Sequence, residues 1–125
     1  MSGKLKLGDL QLRIMQVLWE AEAATVAEVH ERLGGNADLA YTTVATMLRK
    51  MEDRGLVAHE SHGRKFIYRA AVAAHDVTRS MANDLVDRLF EGSVAGMVNH
   101  LLTTRDVSSQ ELDELQKLIA ARKKR

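Results

Sequence analysis

Residues 36–68, NADLAYTTVATMLRKMEDRGLVAHESHGRKFIY, set three signals in a fixed order, and that order constrains the fold more than any single residue. A helical stretch comes first. Val44, Met47, Leu48 and Met51 form its apolar stripe, while Thr42, Thr46 and Arg49, at i, i+4 and i+7, fall on the opposite face, with Lys50 following. Gly55 then suits the left-handed C′ position that ends a helix. Two short β-like runs follow, Leu56 to Glu60 and Phe66 to Ala70, joined by the basic turn Ser61-His62-Gly63-Arg64-Lys65. Neither run is a strong strand alone, but the His62-Gly63 turn between them predicts a hairpin, with Phe66 and Tyr68 on one face. Helix, glycine stop and basic hairpin in that order predict a winged helix-turn-helix, whose helix is sized for the DNA major groove.

Upstream, the helix signals come with punctuation. Asp9 is placed to cap a first helix in which Leu10, Ile14, Val17, Leu18 and Ala21 share a stripe, with Trp19 packing near its end. Thr25-Val26-Ala27-Glu28 reads as a capping box, the Thr25 hydroxyl and the Glu28 carboxylate each satisfying a free backbone N–H. It opens a short helix with Val26, Val29 and Leu33 inward, ended by Gly34-Gly35, and Asn36 to Leu39 lead to a third helix starting near Tyr41.

Downstream the chain reads as helical. Val77, Met81, Leu85, Leu89 and Phe90 follow helical spacing from His75, Gly92-Ser93 interrupts, and Val94, Met97, Val98, Leu101 and Leu102 resume. Ser108-Ser109-Gln110-Glu111 is a second capping box, ahead of Leu112, Leu115, Leu118 and Ile119, and Arg122 to Arg125 make a basic, solvated end. Three helices that are apolar on one stripe bury little alone, and a second copy of the chain is the simplest partner. The expected organisation is therefore a winged-helix DNA-binding domain over 1–72 and a helical dimerisation domain over 73–125: a mostly α chain with a small β-hairpin wing.

Composition narrows the function classes. A formal net charge of +1 hides an uneven distribution. Residues 41–70 carry six Lys/Arg against three acids, whereas residues 71–125 carry eight of each sign. The positive excess thus falls where phosphate contacts would need it. No cysteine is present, so a disulfide framework, a thiolate metal site and a thiol nucleophile are excluded. His59 and His62 lack a third ligand at metal-site spacing and read as wing residues, so no metal and no cofactor is expected. No nucleophile, base and orienter cluster, and no phosphate-binding glycine loop occurs, so the chain is not expected to be an enzyme. No apolar run approaches a membrane span and MSGKLKLGD lacks a signal-peptide core, which makes a cytoplasmic protein the expectation. Two alternatives stand beside this reading: an orphan repressor with an unrelated trigger, and a winged helix serving as a protein-interaction module, which would carry apolar residues where this helix carries Thr, Thr and Arg.

LGDLQLRIMQVLW (residues 7–19) and AYTTVATMLRKMEDRGLV (residues 40–57), with Thr25-Val26 and Gly63-Arg64…Phe66-Ile67-Tyr68, resemble the penicillinase-repressor family, the BlaI/MecI/CopY group. The resemblance runs from about Gly8 to about Ile119. It implies a cytoplasmic homodimer with an N-terminal winged helix and a C-terminal helical dimerisation domain, sitting on a palindromic double-stranded operator and repressing resistance genes. It also implies that Thr42, Thr43 and Thr46 meet bases and phosphates at the exposed start of the recognition helix, with Arg49 and Lys50 further along it and Arg64 and Lys65 at the wing. Copper-responsive members use a C-terminal cysteine cluster, which this chain lacks. Beta-lactam-responsive members answer to a membrane sensor-protease pathway and are cut after an asparagine in the dimerisation domain. Met97-Val98-Asn99-His100-Leu101 aligns with that place: Asn99 matches, whereas His100 stands where the family has Phe.

Overall fold

The computed structural model describes residues 5–35 and 38–125, so Asn36, where the approach to the third helix is expected to begin, lies outside the described residues. The chain divides into two compact units, Met1–Asn83 and Asp84–Arg125, and the helix that runs from Ala74 to Leu89 contributes to both.

The first unit contains helix α1 (Asp9–Ala21), strand β1 (Ala24–Thr25), helix α2 (Val26–Arg32), helix α3 (Tyr41–Asp53), strands β2 (Val57–His62) and β3 (Lys65–Ala70), and the first part of helix α4 (Ala74–Leu89). Its core draws one face from each: Ile14, Met15 and Leu18 of α1, Val29 of α2, Val44, Leu48 and Met51 of α3, Leu56, Val57 and Tyr68 from the sheet region, and Val77 of α4. Trp19 packs at the edge of this core and its indole N–H donates to the Val72 carbonyl at 3.0 Å.

The local chemistry explains most boundaries. The Thr25 box is made in full: the Glu28 N–H donates to Thr25 Oγ1 at 3.2 Å and the Thr25 N–H to Glu28 Oε1 at 2.8 Å. Gly55, at φ +79°, closes α3 with a Schellman motif, Gly55 N–H on Glu52 O and Leu56 N–H on Met51 O, both 2.9 Å. The start of α1 differs from the sequence expectation. Gly8 is the N-cap and Asp9 the first helical residue, and it is Gln11 Oε1 that accepts the Gly8 N–H at 2.9 Å. Asp9 there still favours the positive end of the helix.

The sheet has order β1-β3-β2, one strand more than the sequence pattern indicates. β1 adds Ala24 and Thr25 opposite Tyr68 and Ile67. In the hairpin Val57 pairs with Ala70 and His62 with Lys65, so the two-residue loop is Gly63-Arg64 rather than His62-Gly63. Gly63 at φ +64° supplies the positive φ that a two-residue hairpin loop favours at its first position, which leaves Arg64 beside it at the tip.

The second unit consists of the end of α4, helix α5 (Val94–Thr104) and helix α6 (Ser109–Lys123). Ser93 Oγ caps α5 by accepting the Gly96 N–H at 2.8 Å, and Ser108 Oγ caps α6 by accepting the Glu111 N–H at 3.0 Å. Neither α5 nor α6 has a buried residue.

Candidate nucleic-acid interface

The start of α3 is held by α2. His30 Nε2 lies 2.7 Å from the Leu39 carbonyl, which can only accept, so this nitrogen carries the proton and donates. The His30 ring also meets Tyr41 edge-on, with centroids 5.9 Å apart. Leu39 and Tyr41 are thereby held to α2 where α3 begins. Val44, Leu48 and Met51 face the core, which turns Thr42, Thr43, Thr46, Arg49 and Lys50 outward, all exposed.

Thr42, Thr43, Thr46 and Lys50 line one depression of ≈ 280 Å³ together with Met47. Met47 lies at the edge of the apolar stripe, half-buried, so it belongs to the outer face as much as to the core. Arg49 Nη2 donates to Thr46 Oγ1 at 3.4 Å, which lays the guanidinium along the same helix. The face offers three hydroxyls, two cations and methyl groups, the mixture that can bond phosphates and base edges and touch thymine methyls.

Arg64 and Lys65 enter a second cleft of ≈ 280 Å³, lined also by Thr25, Val26, Ala27, Tyr41 and Phe66. Tyr41 is 49% and Phe66 45% exposed, so the cleft has two aromatic walls and two cations. The sequence marks Thr25 as a cap, Phe66 as a strand residue and Tyr41 as a helix start, and all three as residues of the family motifs, but it does not single them out as neighbours of Arg64 and Lys65. The available signal was Tyr41 itself, a large ring at the first position of a helix, outside its apolar stripe. The ionised Glu28 is favoured by the Thr25 backbone N–H, then by the Thr25 hydroxyl, Lys65 and Arg32, and its carboxyl is held below the ordinary glutamate range.

The two wing histidines have different partners. His59 Nδ1 sits 2.7 Å from Glu52 Oε1, and His62 Nε2 lies 3.4 Å from Glu60 Oε1. Burial pushes the Tyr68 phenol above its usual range, the Glu52 charge adds to that, and Arg49 opposes it.

Asn99 and His100 lie in the second unit, exposed on α5. Their carbonyls accept side-chain hydrogen bonds as well as helical ones: Thr103 Oγ1 donates to both at 3.0 Å and Thr104 Oγ1 to His100 O at 2.7 Å. Among the described residues, no helix is long and apolar enough to cross a membrane.

A three-helix core with a β-hairpin after the third helix, and an outward helix face of hydroxyls and cations, define a winged-helix DNA-binding protein. The chain belongs to the penicillinase repressor family, whose model matches residues 7–121. It is 25% identical over 120 residues to the penicillinase repressor of Bacillus licheniformis, covering 96% of this chain and 94% of that protein. To the transcriptional regulator BlaI of Mycobacterium tuberculosis it is 33% identical over 118 residues, 92% of this chain and 83% of that one. Among solved structures, the DNA-binding domain of the repressor BlaI superposes with TM-score 0.52 at 26% identity, covering 61% of this chain and 93% of that domain. A MarR mutant from E. coli in complex with operator DNA superposes with TM-score 0.55 over 94% of this chain and 76% of its own, and at 16% identity it speaks for the fold alone.

Proposed function

We propose that the chain is a homodimeric transcriptional repressor that binds a palindromic double-stranded DNA operator, with residues 1–72 and the first turns of α4 as the DNA-binding domain and the rest of residues 73–125 as the dimerisation domain. The observation that carries this reading is the outer face of α3 in a chain of the penicillinase repressor family: Thr42, Thr43, Thr46, Arg49 and Lys50 are exposed together on a helix whose other face is buried. An interaction module would present apolar side chains there.

In this reading α3 lies in the major groove and its threonines contact base edges, while Arg49 and Lys50 reach phosphates. Arg64 and Lys65 hold the backbone alongside, in the cleft that Tyr41, Phe66 and Thr25 complete. Dimerisation is supported by the second unit, where Leu89, Val94, Leu118 and Ile119 are more than half exposed and neither α5 nor α6 has a fully buried residue. A two-fold dimer reads two inverted half-sites about one helical turn apart or a multiple of it. The regulated genes are beta-lactam resistance genes, as the names of the relatives support, and release follows a cut at Asn99-His100 set off by a membrane sensor-protease pathway.

The test is selection of duplexes from a random library by the full-length protein, followed by titration of the selected duplex and by sedimentation. The expected result is an inverted repeat bound by two copies of the chain. A protein that selects no sequence and binds random duplex no better than a neutral control overturns the reading.

A further inference from the structure

The outer face of α3 and the hairpin are joined by a polar and aromatic contact that the DNA-binding reading does not itself use. Glu52 sits in the last turn of α3, and its Oε1 lies 2.7 Å from Nδ1 of His59 on β2. A carboxylate only accepts, so Nδ1 carries the proton and donates. The same imidazole is stacked on Phe66 of β3, with centroids 4.2 Å apart and planes at 22°. It also leans on Tyr68, with centroids 5.3 Å apart and planes at 46°. Tyr68 is buried in the core and pairs directly across the hairpin from His59, whereas Phe66 stands two residues nearer the tip. One ring therefore links the recognition helix, the second strand and the third, and the side chains of Glu52 and His59 are themselves only about a third exposed or less.

A two-stranded hairpin is marginally stable on its own. Beyond Glu60 and before Ile67 every residue of this hairpin is exposed, so the core does not hold its tip. The Glu52–His59–Phe66 contact is where the outer half of the hairpin is fastened to α3. Phe66 faces the imidazole and also lines the cleft that holds Arg64 and Lys65. Fixing Phe66 thus fixes the wall between the two cations and the start of α3.

We propose that Glu52 and His59 are positioning residues for DNA binding, acting through Phe66 to hold the wing cations Arg64 and Lys65 at a set distance from the outer face of α3. This rests on the DNA-binding reading above. If the wing is free to move, each phosphate contact it makes must first order the hairpin, and that ordering is subtracted from the affinity; a wing already fastened avoids it. The His62 ring, by contrast, pairs with Glu60 of its own strand, and both side chains are well exposed, so this pair does not reach α3.

The test uses the full-length protein with Glu52→Gln, His59→Ala and His59→Asn, Asn placing an amide donor where Nδ1 stands. Two readouts are taken: hydrogen exchange of the hairpin amides without DNA, and the salt dependence of binding to a random-sequence 30-bp duplex. Exchange of the amides from Glu60 to Phe66 is expected to speed up at least several-fold in His59→Ala and Glu52→Gln, and less in His59→Asn. Affinity for the random duplex is expected to fall several-fold at every salt concentration, and the slope of log affinity against log salt to fall by about one unit only for each phosphate that the loosened wing no longer reaches. Circular dichroism melts of the variants separate a loosened wing from an unfolded domain, and Glu52→Gln, a conservative change at the surface, keeps the fold. Wild-type exchange, or wild-type affinity for the duplex, in both Glu52→Gln and His59→Ala overturns the proposal. Altered exchange in a protein that binds no duplex overturns the DNA-binding reading and with it the positioning role, while leaving the fastening itself in place.

Discussion

The indole N–H of Trp19, near the end of α1, donates to the carbonyl of Val72 at 3.0 Å, and this bond anchors the segment that leaves the wing. Two further contacts carry the anchoring into α4. Val77 is buried in the core of the first unit, and the Leu5 N–H donates to Ser80 Oγ at 2.8 Å. The first turns of α4 therefore pack as part of the DNA-binding fold.

A chain cut after Asn83 is accordingly expected to fold as a stable monomer, whereas one cut after Ala74 lacks Val77 and the Ser80 bond and melts at a clearly lower temperature. In the full chain Val77→Ala is expected to cost on the order of 2 kcal/mol through the cavity it leaves. Trp19→Phe is expected to cost about 1–2 kcal/mol, by stripping the Val72 carbonyl of its donor. Thermal melts of the two truncations and two variants decide it; equal stability of the two truncations would place the fold boundary before α4.

The α3 face and the wing are expected to divide their labour. Thr43→Ala or Thr46→Ala should weaken binding to a selected operator by about 1–3 kcal/mol per base contact removed and leave random duplex unaffected. Arg64→Ala and Lys65→Ala should weaken all duplexes alike, and each should lower the salt slope by about one unit. Tyr41→Ala is expected to behave as the wing variants do, because its ring lines their cleft and not the groove of the threonines. Parallel titrations on operator and random duplex are the measurement, and wing variants that change sequence preference would reverse the assignment.

Local patterns in the chain made much of this fold legible. The Thr25 box and the Gly55 stop involve residues within five positions of each other, and both are built as their spacing indicates. The stripe of Val44, Leu48 and Met51 likewise divides α3 into a packed and a free face by spacing alone. What escaped was non-local or off by one residue. The two-residue strand β1 has no pattern of its own and exists because Tyr68 and Ile67 lie beside it. The turn centre falls at Gly63-Arg64 because glycine readily accepts the positive φ at the first position. Thr25, Tyr41 and Phe66, distant in sequence, meet Arg64 and Lys65 only once β3 has packed beside α2.

The cap of α2 carries a pH dependence with a definite sign. Glu28 is held below the ordinary glutamate value of 4.5, first by the Thr25 backbone N–H. A depressed folded-state value means that its stabilisation is fully present above the ordinary glutamate range and is lost as pH falls through the lower folded value. Glu28→Gln should therefore flatten the acid limb of the stability profile below about pH 4.5 relative to wild type. Thr25→Ala is expected to cost about 1 kcal/mol at neutral pH. Urea melts from the acid limb up to neutral pH read both; an unchanged acid limb in Glu28→Gln would show that this carboxylate does not contribute to acid unfolding.

Release from DNA is expected to come from breaking the dimer. A second linked half-site binds at high effective concentration, so losing it costs roughly a hundredfold or more in affinity. Replacing the exposed Leu118 and Ile119 of α6 by Asp should leave the winged helix folded, shift sedimentation to the monomer and weaken operator binding on that scale. A cut between Asn99 and His100 would act on the same linkage by severing α5 in its middle. Protease clefts take extended backbone, whereas here the carbonyls on both sides of the bond also hold Thr103 and Thr104 hydroxyls. The bond is therefore expected to resist cleavage in the folded protein until α5 unwinds locally. Cells carrying the gene, exposed to a beta-lactam, should yield a fragment ending at Asn99 by mass spectrometry. Intact protein throughout, with the target genes nonetheless induced, would exclude cleavage and leave disruption of the dimer by other means.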